Sequence, residues 1–386
     1  MSAVLLVVNA GSSSLKFAVF EAGERLSRLG GGQVERIGRG PRLRAVRPSE
    51  TARLLPLPAD AGQAQALDAM LHWFDAEFGE RRLAIVGHRV VHGGIAYTAP
   101  VPVDDAVLAR LEALDPIVPL HQPYNLAAIR RLRDRAPRVP QLACFDTAFH
   151  SRWPDVARRF ALPRALHDAG VRRYGFHGLS YEYLAGEARR LEPDARRVVI
   201  AHLGSGASVC AVDGGRSIDC SLGFTALDGL PMGTRCGPLD PGVAFHLLRG
   251  DGATPASVEK MLYQDCGLLG VSGISADMRE LLASPAAEAR EAIDLFAYHC
   301  TRQIAAMAAA LGGIDALVFS GGIGENAAPV RERICAPLGF LGIALDAAAN
   351  ARNGERIGGG RVPVRVVPTD EEVVIARACR DALAAA

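Results

Sequence analysis

Arginines and histidines in glycine-rich or apolar surroundings are the first residues in this chain with chemistry to do. GHRVVHGG (87–94) sets Arg89 and His92 beside a strand and a turn, and GLPMGTRCG (229–237) puts Arg235 in a glycine-rich loop. A guanidinium in such a setting binds a carboxylate or a phosphate through two parallel N–H donors. Each arginine alone would equally serve a salt bridge; two loops of this kind point to an anion site. Asp146 ends a buried-type strand in ACFDTAFH, where α/β folds carry functional groups, although it would also serve as a helix N-cap. His121 follows the proline-rich PIVPLHQP and His177 lies in RYGFHG. A lone histidine is more often structural than catalytic.

Small-residue turns supply the complementary parts. Gly11-Ser12-Ser13-Ser14 and Gly204-Ser205-Gly206 each separate two β runs, and such turns let backbone N–H groups approach an anion closely. Asn9 and Ser12 sit at the first turn, His202 and Ser205 at the second. The segments VVNAGSSSLKFAVF (7–20) and IAHLGSGASVCAVD (200–213) echo one another half a chain length apart, aligning Gly11 with Gly204, Ser12 with Ser205 and Val19 with Val212. This predicts a duplication into two α/β domains facing across a cleft, with both turns on one polyphosphate. A third cluster, GGIGENA (321–327), follows the strand-like ALVFS; residues 322–327 fit GxGxxA, and a strand-like run 340–345 ends at Asp346. That pattern keeps a rival open, an NAD-dependent oxidoreductase, although such a fingerprint usually opens the first βα unit of its domain. Only two of the 43 basic residues are lysines, Lys16 and Lys260, and neither follows glycine, so there is no P-loop. The protein-kinase VAIK and DFG signatures are absent too.

The elements that must position these residues alternate between strand and helix. Val4–Val8 and Phe17–Phe20 read as a hairpin, 64–78 as a helix on the spacing of Leu67, Met70, Leu71, Phe74 and Phe78, and Leu83–Val91 as a strand. Helices follow over Asp104–Leu114 and from Pro123 to about Arg133, then a strand over Val139–Phe145. The longest helix spans 287–311 and stops at Gly312-Gly313; a strand covers Ala316–Phe319. Thr369-x-x-Glu372 reads as a capping box for the last helix. Gly30–Arg53 reads as surface strands and loops. The 386 residues suit two domains, and a net charge of +1 argues against a general nucleic-acid or membrane-surface binder. No apolar stretch approaches the roughly 18–20 residues of a membrane span. Eight scattered cysteines without a CxxC pair fit a reduced cytoplasm.

In order along the chain, NAGSSSLKF, GHRVVHGG, FDTAFH, YGFHGLS, HLGSGAS, MGTRCG, SGGIGEN and PTDEEVVIAR together strongly resemble the acetokinase family of the actin-like and sugar-kinase ATPase superfamily. The resemblance covers residue 4 to about 380. It implies two duplicated actin-like (ribonuclease H-like) α/β domains flanking an active-site cleft, residues 1–149 with 372–386 in one and 150–371 in the other, the latter with the nucleotide site and a dimer interface. It implies a cytoplasmic homodimer that acts on small molecules alone, moving a phosphoryl group between ATP and acetate with Mg²⁺, or Mn²⁺ in its place; propionate is the alternative acid. By the same resemblance Arg89, Asp146, His177 and Arg235 are catalytic, and Val91, Leu120 and Phe176 form the methyl pocket beside Arg89. Ser12, Ser14, Lys16, His202, Leu203, Gly204, Ser205, Gly206, Asp277, Met278, Arg279, Gly322, Ile323, Gly324 and Asn326 match ATP-binding positions. His121 matches the phosphate region, and Asn9 and Glu371 match the surroundings of the metal.

Four positions depart from the family pattern: Ser205 replaces asparagine in the second phosphate turn, Ala226 a pocket proline, Met278 a phenylalanine beside adenine, and Pro238 an acidic residue. The shorter Ser205 puts ATP contacts there in question, Met278 removes a stacking ring, and Ala226 frees volume for a longer acyl chain.

Overall fold

The computed structural model describes residues 3–11, 13–48, 50–119 and 121–385; Ser12 and Leu120, assigned above, lie outside the described residues. The chain divides into two compact units. Unit 1 holds the residues up to Ala148 and those from Asp370 onward, and unit 2 is Phe149–Thr369.

Unit 1 contains β1 (Ala3–Ala10), β2 (Leu15–Glu21), β3 (Arg28–Glu35), β4 (Arg42–Val46), β5 (Arg53–Pro56), α1 (Gln63–Phe78), β6 (Arg82–Val90), β7 (Val101–Pro102), α2 (Asp105–Glu112), α3 (Gln122–Arg135) and β8 (Gln141–Phe145). Its sheet runs β5-β4-β3-β2-β1-β6-β8-β7. β1 is antiparallel to β2 and parallel to β6, which is parallel to β8. The unbroken apolar run of β1 fits a strand covered on both faces, and Val4 through Val8 are at most 1% exposed. α1 buries the spaced residues named above, together with Trp73, whose ring lies 5.2 Å from that of Phe17. Gly30 and Gly32 let β3 pass close to that aromatic core, because a Cβ at Gly32 would come within 2.9 Å of the Phe17 ring. β3 and β4 are therefore more than surface strands: Val34, Leu43 and Ala45 belong to the core. Asp104 caps α2 by accepting from Val107 N at 2.7 Å.

Unit 2 contains α4 (Gly178–Leu191), β9 (Arg197–Leu203), β10 (Ala207–Asp213), β11 (Arg216–Cys220), α5 (Ala287–Ala310), β12 (Ala316–Ser320), α6 (Gly321–Asn326) and β13 (Val364–Val366), among shorter helices. Its sheet runs β11-β10-β9-β12-β13, with β9 antiparallel to β10 and parallel to β12. That order and those directions repeat β3-β2-β1-β6-β8 of unit 1, so the echo of two hairpins extends to five strands. The final helix, α7 (Glu371–Ala385), returns to unit 1 and packs on β1 and β6.

Two further sequence expectations need correction. The cap of α7 is Asp370, whose Oδ1 accepts from Val373 N at 3.0 Å, while Thr369 Oγ1 is 2.8 Å from Ser180 Oγ. An acid with a shorter reach to the first turn wins over the threonine one residue earlier. The run 340–345 is not a strand: Ala336–Leu341 is a 3₁₀ helix and Leu345 makes an isolated bridge to Gly358. The GxGxxA segment therefore lacks the following strand that a dinucleotide-binding unit needs.

α7 and β6 meet at Gly87, where an added Cβ would lie 2.4 Å from Ile375 Cγ2 and 2.5 Å from Cys379 Sγ. Overpacking of this kind costs about 1–3 kcal/mol. Gly87→Ala should lower the urea midpoint followed by circular dichroism accordingly; an unchanged midpoint would mean that α7 shifts freely.

Candidate active site

In unit 1, strand ends bring four polar side chains together. Asn9 lies near the end of β1, Arg89 near the end of β6, Asp146 just after β8, and Glu371 at the start of α7. Because β1, β6 and β8 are parallel neighbours, their carboxyl ends lie side by side. Arg89 Nε donates to the two Asp146 oxygens at 3.1 and 3.2 Å, and one terminal nitrogen donates at 2.5 Å. The other terminal nitrogen donates to Asn9 Oδ1 at 3.1 Å, and Glu371 lies 3.8 Å from Nε. Asn9 Nδ2 donates to Glu371 Oε2 at 3.0 Å. Burial opposes the Arg89 charge, but Asp146 and Glu371 outweigh it and hold its pKa above the ordinary arginine value. A guanidinium carries five N–H groups, so these bonds leave one N–H on each terminal nitrogen.

Lys16 stands opposite Asn9 in the β1–β2 ladder. Burial, then the neighbouring Glu371, pushes the Glu372 carboxyl above the usual carboxylate range, while Lys16 pulls it down. Two side chains from α3, which the sequence did not single out, hold the loop after β6. Asn125 Oδ1 accepts from Val91 N at 2.9 Å, and Gln122 Oε1 accepts from His92 N at 3.2 Å. Nothing in the sequence marks these two amides, one turn apart at the start of a helix, as buried. Burial lowers the His92 pKa to about 4, and its Nδ1 accepts from Gly94 N at 2.8 Å, so the neutral ring caps the turn.

In unit 2, His177 has φ 58° and ψ 24°, a left-handed conformation, immediately before α4. The preceding Gly175 (φ 73°) also needs that region, and a Cβ there would meet the His150 ring at 2.7 Å. His150 went unread in the sequence. Burial lowers it to about 4; its Nε2–H donates to Phe176 O at 2.9 Å, and its Nδ1 takes the Ser217 hydroxyl at 2.7 Å. The His177 ring stands 4.7 Å from that of His202, whose Nδ1 is 2.9 Å from Ser180 Oγ. The turn between β9 and β10 passes beneath both rings: the Cβ position of Gly206 is 3.2 Å from His177 Nε2 and 3.9 Å from an Arg235 terminal nitrogen. That arginine donates to Ala226 O at 2.9 Å. Its loop is held by Cys266 N donating to Thr234 O at 3.0 Å and Leu268 N donating to Met232 O at 2.8 Å.

Gly204 and the start of α6 are also close, because the Cβ position of Gly204 is 3.9 Å from Gly322 N. Leu203 and Gly324 are buried beneath them, Ile323 is half-buried, and Ser205 is exposed. Asn326 Nδ2 donates to Gly322 O at 2.9 Å. Asp277 caps the helix Met278–Ala283 through Arg279 N at 2.9 Å and also pairs with the Arg279 side chain. Met278 is 3% exposed and offers a ligand almost no surface. Val91 in unit 1 and Phe176 in unit 2 are likewise buried. Ser14 closes the first turn by accepting from Gly11 N at 2.8 Å, and the His121 carbonyl starts α3 by accepting from Tyr124 and Asn125.

Among the described residues no group of three or more His, Cys, Asp or Glu side chains could by itself hold a metal ion. The donor chemistry in unit 1 nevertheless suits Mg²⁺, which binds through one or two carboxylates and completes its shell with water and substrate phosphates. There one guanidinium is shared by two carboxylates, and that leaves net negative charge. No helix among the described residues is long and apolar enough to cross a membrane.

The sequence pattern of the acetokinase family matches residues 4–377. Acetate kinase of Rhodopseudomonas palustris is 50% identical over 98% of both chains. Acetate kinase of Methylocella silvestris is 47% identical over 100% of both. The crystal structure of Porphyromonas gingivalis acetate kinase is 36% identical, covers 99% of this chain and 100% of its own, and superposes with a TM-score of 0.85. That of a propionate kinase from Francisella tularensis, at 35% identity and covering 98% and 99%, gives 0.90. With its strand order repeated in two sheets and its motifs matched from end to end, the chain has the actin-like fold and belongs to the acetokinase family.

Proposed function

We propose that this ATP:acetate phosphotransferase moves the γ-phosphoryl group of ATP directly, in line, to an acetate oxygen, giving acetyl phosphate and ADP reversibly and with Mg²⁺. The observation that carries the reading is Arg89, fixed by Asp146 and Asn9 with one N–H left on each terminal nitrogen. Acetate is already anionic at neutral pH, so no general base is needed. The obstacle is repulsion between an anionic nucleophile and an anionic phosphate, and alignment with charge neutralisation removes it. Arg89 holds the acid beside Asp146. His177 and Arg235 donate to the oxygens of the moving group. Gly204 closes its turn by donating its N–H to Gly206 O at 3.0 Å, while Ser205, Gly206 and Gly322 offer backbone N–H groups to the nucleotide phosphates, helped by Ser14, Lys16, His121 and His202. Asp277, Arg279, Ile323 and Asn326 flank the adenosine, with Met278 buried behind them. Asn9 and Glu371 would hold Mg²⁺, directly or through water, and the bound metal supplies charge neutralisation at the phosphates.

Val91, Phe176 and Ala226 line the methyl pocket in this reading. Ala226, 6% exposed, keeps its carbonyl on Arg235 but lacks the proline ring of the family pattern. One methylene is worth only about 1–3 kcal/mol of discrimination, so propionate is the second reading. Trapping the product as hydroxamate, with ATP, Mg²⁺ and acetate, propionate or butyrate in parallel, tests both. Acetate should give the highest kcat/KM, and Ala226→Pro should widen its lead. A higher value for propionate would reassign the substrate, and no product with any acid would overturn the reading.

The exposed apolar side chains Leu239, Val243, Phe245 and Leu248 of unit 2 support a homodimer that covers them. Eight cysteines kept as thiols support a cytoplasmic setting.

A further inference from the structure

Behind His177 stand two hydroxyl groups that no step above uses. His177 Nδ1 is 2.8 Å from Ser208 Oγ, and that oxygen is 2.5 Å from Tyr181 Oη. Ser208 and Tyr181 are both 0% exposed. Ser208 lies on β10, two residues past Gly206, and Tyr181 lies in the first turn of α4, the helix that His177 begins. The ring is thus held from the strand and from its own helix at once.

The direction of these bonds follows from proton counting. Burial raises the Tyr181 pKa well above the ordinary phenol value, so its O–H keeps its proton and must place it. A hydroxyl oxygen is a far stronger acceptor than the sulfur of a nearby thiol such as Cys220, so the phenol donates to Ser208 Oγ. Ser208 has a single proton of its own, and the acceptor at hand for it is His177 Nδ1. With Nδ1 accepting, the proton of the neutral ring sits on Nε2, the nitrogen 3.2 Å from the Cβ position of Gly206. The opposite tautomer would aim a lone pair at the phosphoryl oxygens.

We infer that Ser208, backed by Tyr181, is a positioning residue that fixes His177 as the Nε2–H tautomer and aims that N–H at the phosphoryl group in transfer. The inference rests on the proposed role of His177 and adds how the fold sets its proton.

Long-range ¹H–¹⁵N NMR of the full-length protein with labelled histidine reads the tautomer directly, the His177 signals being assigned by their loss in His177→Gln. At a pH where the ring is neutral, the wild-type pattern should be that of Nε2–H. Ser208→Ala should broaden or mix that pattern. It should also lower kcat about tenfold, a fraction of the 10²–10³ that losing a whole donor costs, with KM for ATP and acetate nearly unchanged. Ser208→Thr, which restores the hydroxyl, should recover most of the loss. An Nδ1–H wild-type ring, or Ser208→Ala with wild-type kcat, would overturn the inference. If neither variant folds, the wild-type spectrum still decides. Wild-type kcat in His177→Gln would instead overturn the role of His177 itself, and the tautomer reading would stand apart from that result.

Discussion

Arg89→Lys should lower kcat/KM for acetate roughly 10²–10³-fold, although the charge is retained. In the structure the guanidinium does three things at one point: it takes Asp146 with two nitrogens, reaches Asn9 with the third, and keeps an N–H on each terminal nitrogen. An ammonium is a compact charge on a flexible stem. It can satisfy Asp146 or reach outward, but it cannot span both in a fixed plane. Asp146, 1% exposed, would then be left incompletely paired and its carboxylate would become harder to keep charged. The loss should fall on kcat and on acetate KM, with ATP KM changing much less. Steady-state kinetics with each substrate varied in turn, alongside a melting curve to confirm folding, measures this. A lysine variant within about threefold of wild type would show that charge alone suffices and that the fork geometry of Arg89 is irrelevant.

The second large effect concerns stability. Arg331 is 0% exposed, and its guanidinium meets oxygens of uncharged groups: Nε donates to Asn350 Oδ1 at 2.8 Å, one terminal nitrogen to Gly324 O at 2.9 Å, and the other to Asn350 O at 2.9 Å and Asn353 Oδ1 at 2.7 Å. Burial lowers its pKa from the ordinary arginine value. Gly324 belongs to α6, so this side chain ties the glycine cluster to the segment that follows it. Arg331→Met fills the volume but strands buried acceptors, each worth about 1–3 kcal/mol, while relieving one buried charge. The expected net loss is about 3 kcal/mol, a fall in Tm of roughly 6–12 °C for a unit this size. ATP KM should rise with it and acetate KM should not. A methionine variant with the wild-type Tm would show that the buried charge costs as much as its hydrogen bonds return.

Periodicity made most of the elements legible. α1 was readable because large apolar residues recur at helical spacing, and the two hairpins because their turns are built from glycine and serine between β-branched runs. What the pattern could not convey was competition between neighbours. Thr369 and Asp370 both suit a cap, and only the fold shows the threonine paired with Ser180 instead. Phe340–Leu345 is apolar enough for a strand, but Phe340 and Leu341 close a 3₁₀ helix and Leu345 makes only an isolated bridge to Gly358. The charged candidates Arg89, Asp146 and Arg235 stood out because charge in an apolar or glycine-rich run is conspicuous. The residues that hold them did not. Ser208, Tyr181 and Asn125 look like ordinary members of a strand or a helix. Arg331 did leave a trace, since it sits among Val330, Ile334 and Cys335 on the buried stripe of its helix.

Unit 1 is built from both ends of the chain, and this bears on how the protein comes off the ribosome. β1 and β6 are made early, yet the helix that packs on them through Gly87, Ile375 and Cys379 is made after all of unit 2. At about 5–20 residues per second the interval is on the order of tens of seconds. Unit 2, one uninterrupted stretch, has its whole sequence in hand before unit 1 has its last helix. For that time the apolar surface of β1 and β6 stands without its final cover, and a chaperone has its clearest business with the nascent chain there.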